Sequence, residues 1–165
     1  VREPRPQVGD VSLPEAGAGP FRFVAEPGHV LLTYFGYTSC PDVCPTTLAD
    51  LKVVFEDIGA AADRVELAVV TIDPEVDTAE LLTAYVRSFV PGAHAIVTTD
   101  DAALRAAADD FGADYGAVVN AEGVREVFHT ASVYAVDDAG EIRVSWSYGT
   151  PADDVVHDLR LLLDR

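Results

Sequence analysis

The segment Val30–Phe35, "VLLTYF", is apolar except for Thr33, and "PTTLADLKVVFEDIG" beyond it repeats apolar residues at helical spacing. An apolar run of this length predicts a strand buried on both faces, and such a strand needs helices above and below its sheet. Pro45 suits the first helical position of the following segment, and Gly59 lies near its stop. The alternation then repeats. "RVELAVVTID" predicts a second buried strand, and "DPEVDTAELLTAYVRSF" a helix that a capping box of Asp77 and Glu80 opens and that ends before Pro91. "HAIVTTD" reads as a short strand and "DDAALRAAADDFG" as a helix. "YGAVVNAEGVREVFHTASVYAVDDAGEIRVSWSYG" is β-rich, with a hairpin at "DDAG", and an amphipathic helix begins at Pro151. Early alternation implies parallel strands and the late hairpin adds antiparallel ones. The expectation is an α/β chain with a central mixed sheet and flanking helices.

The 165 residues amount to about one domain. Residues 1–20, rich in Pro and Gly, read as an extended N-terminal arm with one short strand at most, and residues 21–165 as the folded domain. The formal net charge of −17 argues against a nucleic-acid partner and against an anionic membrane surface. It fits a solubilising surface better than a docking face for a basic protein. No stretch approaches the roughly 20 apolar residues of a membrane span. The chain starts at Val1 and contains no methionine, so it is expected to be a portion of a longer product, with any leader or anchor upstream.

Both cysteines, Cys40 and Cys44, lie in "FGYTSCPDVCPTTLADL", between the first buried strand and its helix, which is the thioredoxin-like placement. They could be a staple, a redox pair or metal ligands. A staple closing so short a loop would restrict the unfolded chain by only about 2 kcal/mol. A helix start stabilises thiolates, which serves both remaining readings. Redox pairs usually have two intervening residues. Here there are three, which suits two sulfurs facing one point. Zinc wants four ligands, and no second cysteine pair exists. Copper accepts thiolates with low coordination or with imidazole. Of the four histidines, His157 lies on an acidic helix face, His94 opens a strand after a turn, and His29 precedes the first buried strand at its far end. His129, in "REVFHTASVYAV", sits at a loop-to-strand junction that would face the cysteine turn. It reads equally well as a strand histidine satisfied by a neighbour.

"FGYTSCPDVCPTTLADL", "VVTIDPEVDT" and "HTASVYAVDDAGEI", in that order, resemble three blocks of the Sco (SenC) family of copper-binding assembly proteins. The likeness runs from about Gly28 to the C-terminus. It implies a thioredoxin-like fold with an N-terminal extension and an inserted hairpin. It implies one copper, Cu(I) or Cu(II), held by Cys40, Cys44 and His129. It also implies export, usually with an N-terminal membrane anchor, and a role in loading the binuclear copper site of cytochrome c oxidase. The implied partners are that enzyme's copper-bearing subunit, and another copper chaperone or a thiol reductant. Phe128 stands where many members carry Asp. Asp73 is read as a turn residue beside Pro74, Asp77 as a helix cap, and Asp42 as a cap or a modulator of cysteine charge. Tyr37 and Thr38 are read as shaping the loop. The alternatives are a thiol–disulfide oxidoreductase that uses Cys40 and Cys44 and needs no histidine, and a copper or redox sensor.

Overall fold

The computed structural model describes residues 5–165; residues 1–4 of the expected arm lie outside the described residues. The central strand, β3 (Val30–Gly36), is buried along its whole length. It pairs in parallel with β4 (Val65–Thr71), which pairs in parallel with β5 (His94–Ile96). On its other side β3 runs antiparallel to β8 (Ser132–Val136), which forms a hairpin with β9 (Ile142–Ser147). The sheet order is therefore β5-β4-β3-β8-β9, mixed as expected. Alternate residues of β3 serve two cores. Leu32 and Tyr34 meet helices α1 (Val43–Asp57), α2 (Ala79–Phe89) and α4 (Ala152–Leu163). Leu31 and Phe35 meet α3 (Asp101–Phe111) and the N-terminal segment. This double burial is why β3 reads as an unbroken apolar run rather than an alternating one.

The "DDAG" turn forms as read. Asp137 Oδ1 accepts the N–H groups of Ala139 at 3.0 Å and Glu141 at 2.9 Å, and Gly140 takes the positive φ of 73° that the turn requires. A second, separate hairpin pairs β6 (Tyr115–Val119) with β7 (Arg125–His129) outside the main sheet.

Two local expectations are corrected. Helix α1 begins at Val43, so Pro45 is its third residue. Its missing N–H is harmless there because the first turn has no intrahelical acceptors. The cap of α2 is Thr78, whose Oγ1 accepts from Leu81 N–H at 3.1 Å, and Asp77 faces elsewhere. The arm holds one short strand, β1 (Ser12–Pro14), which pairs antiparallel with β2 (Pro20–Arg22) starting at the arm's last residue.

That segment covers both edges of the main sheet. Ile142 N–H donates to Pro6 O at 3.0 Å beside β9, and Val97 N–H donates to Pro14 O at 3.1 Å beside β5. Edge strands left bare invite pairing with other chains, and β5 is closed off in this way, as is the start of β9. Val8, Leu13 and Phe23 are buried in the α3-side core. Leu13→Ala is therefore expected to cost about 2–5 kcal/mol in chemical denaturation, as for any core leucine. A loss near zero would mean that the segment only rests on the surface.

Candidate metal centre

The cysteine loop leaves β3 at Gly36 and enters α1 at Val43. No side-chain oxygen caps this helix, although Asp42 occupies the cap position. The sulfur of Cys40 lies there instead and accepts the Cys44 N–H at 3.3 Å. Burial disfavours the Cys40 thiolate. Bonds from the backbone and thiol of Cys44, the Asp42 N–H and the Tyr37 phenol outweigh it, and the pKa falls below the ordinary thiol value. Cys44 is the opposite case. It is 1% exposed, and burial pushes its pKa up to about 12, although the Tyr34 hydroxyl lies 3.5 Å from its sulfur. One sulfur thus gives up its proton more readily than an ordinary thiol, and the other holds its proton until something replaces it.

The third group arrives on β7. His129 Nε2 stands 3.3 Å from Cys44 Sγ, and Nδ1 stands 3.2 Å from the carbonyl oxygen of Thr130. A carbonyl only accepts, so Nδ1 carries the ring proton and the Nε2 lone pair points at the sulfur. Burial lowers the His129 pKa, against bonds to the Thr130 and Phe35 backbone that raise it, so the ring is neutral at pH 7. Tyr34 and Tyr37 meet the imidazole edge-on, with centroids 5.9 and 5.7 Å away, and limit its rotation. Tyr37's own pKa is raised to about 12 by burial and the cysteines, so it stays a neutral phenol.

Donor atoms of Cys40, Cys44 and His129 all lie within 4.8 Å of one another. Among the described residues no other group of three His, Cys, Asp or Glu side chains converges in this way. The donor set is two sulfurs and one imidazole nitrogen, with the imidazole tautomer fixed by a backbone carbonyl, as a metal-binding histidine requires. The other histidines stay apart. His94 lies between Glu15 (2.6 Å) and Glu66 (3.1 Å), His29 precedes β3 at its opposite end, and His157 is exposed on α4. Asp73 forms its turn, accepting from Val76 and Asp77 N–H, and also pairs with Arg125 at 3.2 Å. Asp77 is buried against Thr38 and Thr71. Sequence reasoning missed Tyr34, because a phenol that meets a cysteine ten positions away looks like any other strand aromatic. It also missed why Gly36 is glycine. A Cβ there would lie 3.1 Å from Cys44 Sγ and 2.8 Å from Tyr34 Cε1.

Two measurements follow from these environments. Iodoacetamide near neutral pH is expected to modify Cys40 at least about tenfold faster than Cys44, read by peptide mass mapping; the reverse order would contradict the opposite shifts of the two thiols. The His129 ring should titrate, by NMR, below the ordinary imidazole value of 6.5. Its folded pKa is depressed, so its contribution to stability is complete above the unfolded value and is lost as pH falls through the folded one.

The SCO1/SenC family model matches residues 18–164. A SCO2-like protein of Rickettsia prowazekii (strain Madrid E) is 32% identical over 116 residues, covering 68% of this chain and 56% of that protein, so the chain spans little more than half the length of this relative. Among solved structures, apo Sco1 of Thermus thermophilus is 35% identical with a TM-score of 0.82, over 98% of this chain and 95% of that one. ScoI of Bradyrhizobium japonicum, solved with copper bound, is 27% identical with a TM-score of 0.78, over 92% and 96% of the two chains. The fold is thioredoxin-like, and the chain belongs to the SCO1/SenC family.

Proposed function

We propose that this protein is a copper carrier that takes up one Cu(I) or Cu(II) through Cys40, Cys44 and His129 and hands it to the binuclear copper site of cytochrome c oxidase during assembly. The observation that carries this reading is the convergence of two sulfurs and a tautomerically fixed imidazole within 4.8 Å. Soft thiolates and imidazole select copper among the available ions, and three donors are too few for a structural zinc site. The cargo would displace the Cys44 proton, which the raised pKa otherwise retains. Release needs no unfolding. An incoming thiolate or imidazole adds to the ion from the solvent side, where Cys40 is the more exposed cysteine, at 8% against 1% for Cys44. A protein donor then leaves. The oxidase target, its copper-bearing subunit as partner, and a location outside the cytoplasm rest on family membership. Among the described residues no helix is long and apolar enough to cross a membrane.

The inequality of the two thiols favours a second reading, reduction of a partner's disulfide. The Cys40 thiolate would attack one partner sulfur, breaking that disulfide and releasing a thiolate. Cys44, once deprotonated, would attack Cys40 Sγ and expel the second thiolate. The partner gains two electrons and the Cys40–Cys44 disulfide forms.

Titration of reduced protein with Cu(II) separates the two. A thiolate-to-copper charge-transfer band should saturate at one equivalent, disappear in Cys40→Ser and Cys44→Ser, and weaken or shift in His129→Ala. Oxidation of the pair with no lasting band, and no effect of His129→Ala, would favour thiol exchange instead.

A further inference from the structure

The ladder between β3 and β4 ends at Gly36 and Thr71, and the Ile72 N–H bond to Gly36 O at 2.9 Å is its last rung. Beyond it the two chains part, one towards the cysteines and the other into the Asp73–Thr78 turn. The carboxylate of Asp77 fills the opening and is fully buried. Its Oδ2 accepts from Thr38 N–H at 2.9 Å and from Thr71 Oγ1 at 2.7 Å, and its Oδ1 accepts from Thr38 Oγ1. Thr71 Oγ1 in turn accepts the Asp73 N–H at 3.0 Å. Asp77 has no capping duty, because Thr78 caps α2. A buried carboxylate is costly unless donors fill its lone pairs, and here every direct donor comes from the end of β4 or from the cysteine loop itself.

We infer that Asp77 is a positioning residue for the metal centre: by holding Thr38 against the end of β4, it fixes the segment that carries Tyr37 and Cys40. The inference rests on the carrier reading above. Thr38 stands two residues before Cys40, and the Cys40 N–H donates to Tyr37 O at 3.4 Å, so the anchored residue lies within the turn that places the sulfur. Tyr37 is next to Thr38 and its ring meets His129 edge-on. One carboxylate therefore holds the chain that presents one donor and the ring that orients another. Without it, Cys40 would sample more positions, and both metal binding and disulfide closure would weaken or shift.

The test compares Thr38→Ala, Asp77→Ala and Asp77→Asn with Thr78→Ala, which removes the neighbouring helix cap and leaves the loop bonds intact. Two readouts are taken with the full chain: Cu(I) affinity by competition with a chromophoric chelator, and the metal-free dithiol–disulfide equilibrium. In the second, the Cys40–Cys44 bond forms as glutathione disulfide is reduced to two thiols. Thr38→Ala and Asp77→Ala should each weaken Cu(I) binding by about tenfold and move the glutathione equilibrium, while Thr78→Ala lowers Tm and moves neither. Asp77→Asn keeps an oxygen for Thr38 N–H and Thr71 Oγ1 and can donate to Thr38 Oγ1, so it should retain most of both. If Thr38→Ala lowers Tm and leaves both readouts where Thr78→Ala leaves them, the positioning role is overturned; this variant decides the matter should Asp77→Ala not fold. If the wild-type protein binds neither Cu(I) nor Cu(II), the carrier reading fails, and the metal-free equilibrium still decides the role of Asp77.

Discussion

The burial of β3 on both faces is the constraint on which the rest depends. A strand covered above and below cannot slip in register without moving every apolar side chain to the wrong core, so its C-terminal end is a fixed point. The cysteine loop begins at that point, α1 packs back against the strand it left, and β8 returns antiparallel along the strand's other edge. Tyr34 is the clearest consequence. It is a core residue by packing, yet its hydroxyl reaches the sulfur of Cys44. Core and site share one side chain, so the geometry of the second is inherited from the rigidity of the first.

The overall charge of −17 has little to do with the site. Polarity there comes from neutral groups, above all backbone ones: the Cys44 N–H held by the Cys40 sulfur, and the Thr130 carbonyl that fixes the imidazole proton. Backbone dipoles do not wander as long charged side chains do, and they need no counterion. They also treat the sulfurs unequally. The one at the helix start gains stabilisation as an anion, while the one beneath it is desolvated without full compensation.

Much of this was legible in the chain, and the failures share one cause. The buried strands, the helices and the "DDAG" hairpin announced themselves because periodicity and turn chemistry are local. The cysteine pair was legible for the same reason, since its partners lie within one turn. Asp77 was misread because "DT" offers two adjacent residues that can each cap a helix. What decides between them is Thr38, which lies 39 positions away. Pro45 was misplaced because Asp42, the true boundary, makes no side-chain cap bond that a pattern could capture. His129 could be located at a strand junction. The pairing of β8 with β3, which sets Val133 opposite Tyr34, carries it towards Cys44 across 85 residues of chain, and that closure leaves no local mark.

That separation has a consequence for a chain in transit between unfolded and folded forms. Before folding, the two cysteines are still neighbours and can grip a soft ion by themselves, but the imidazole is dispersed through the volume of the coil. The imidazole is in place only once β8 has paired with β3. An ion held by all three groups therefore certifies that the tertiary structure is complete, and its grip adds to stability only by the difference between full and partial chelation. Were copper carried as proposed, an immature or damaged copy would give up its ion to competitors that a finished copy withstands.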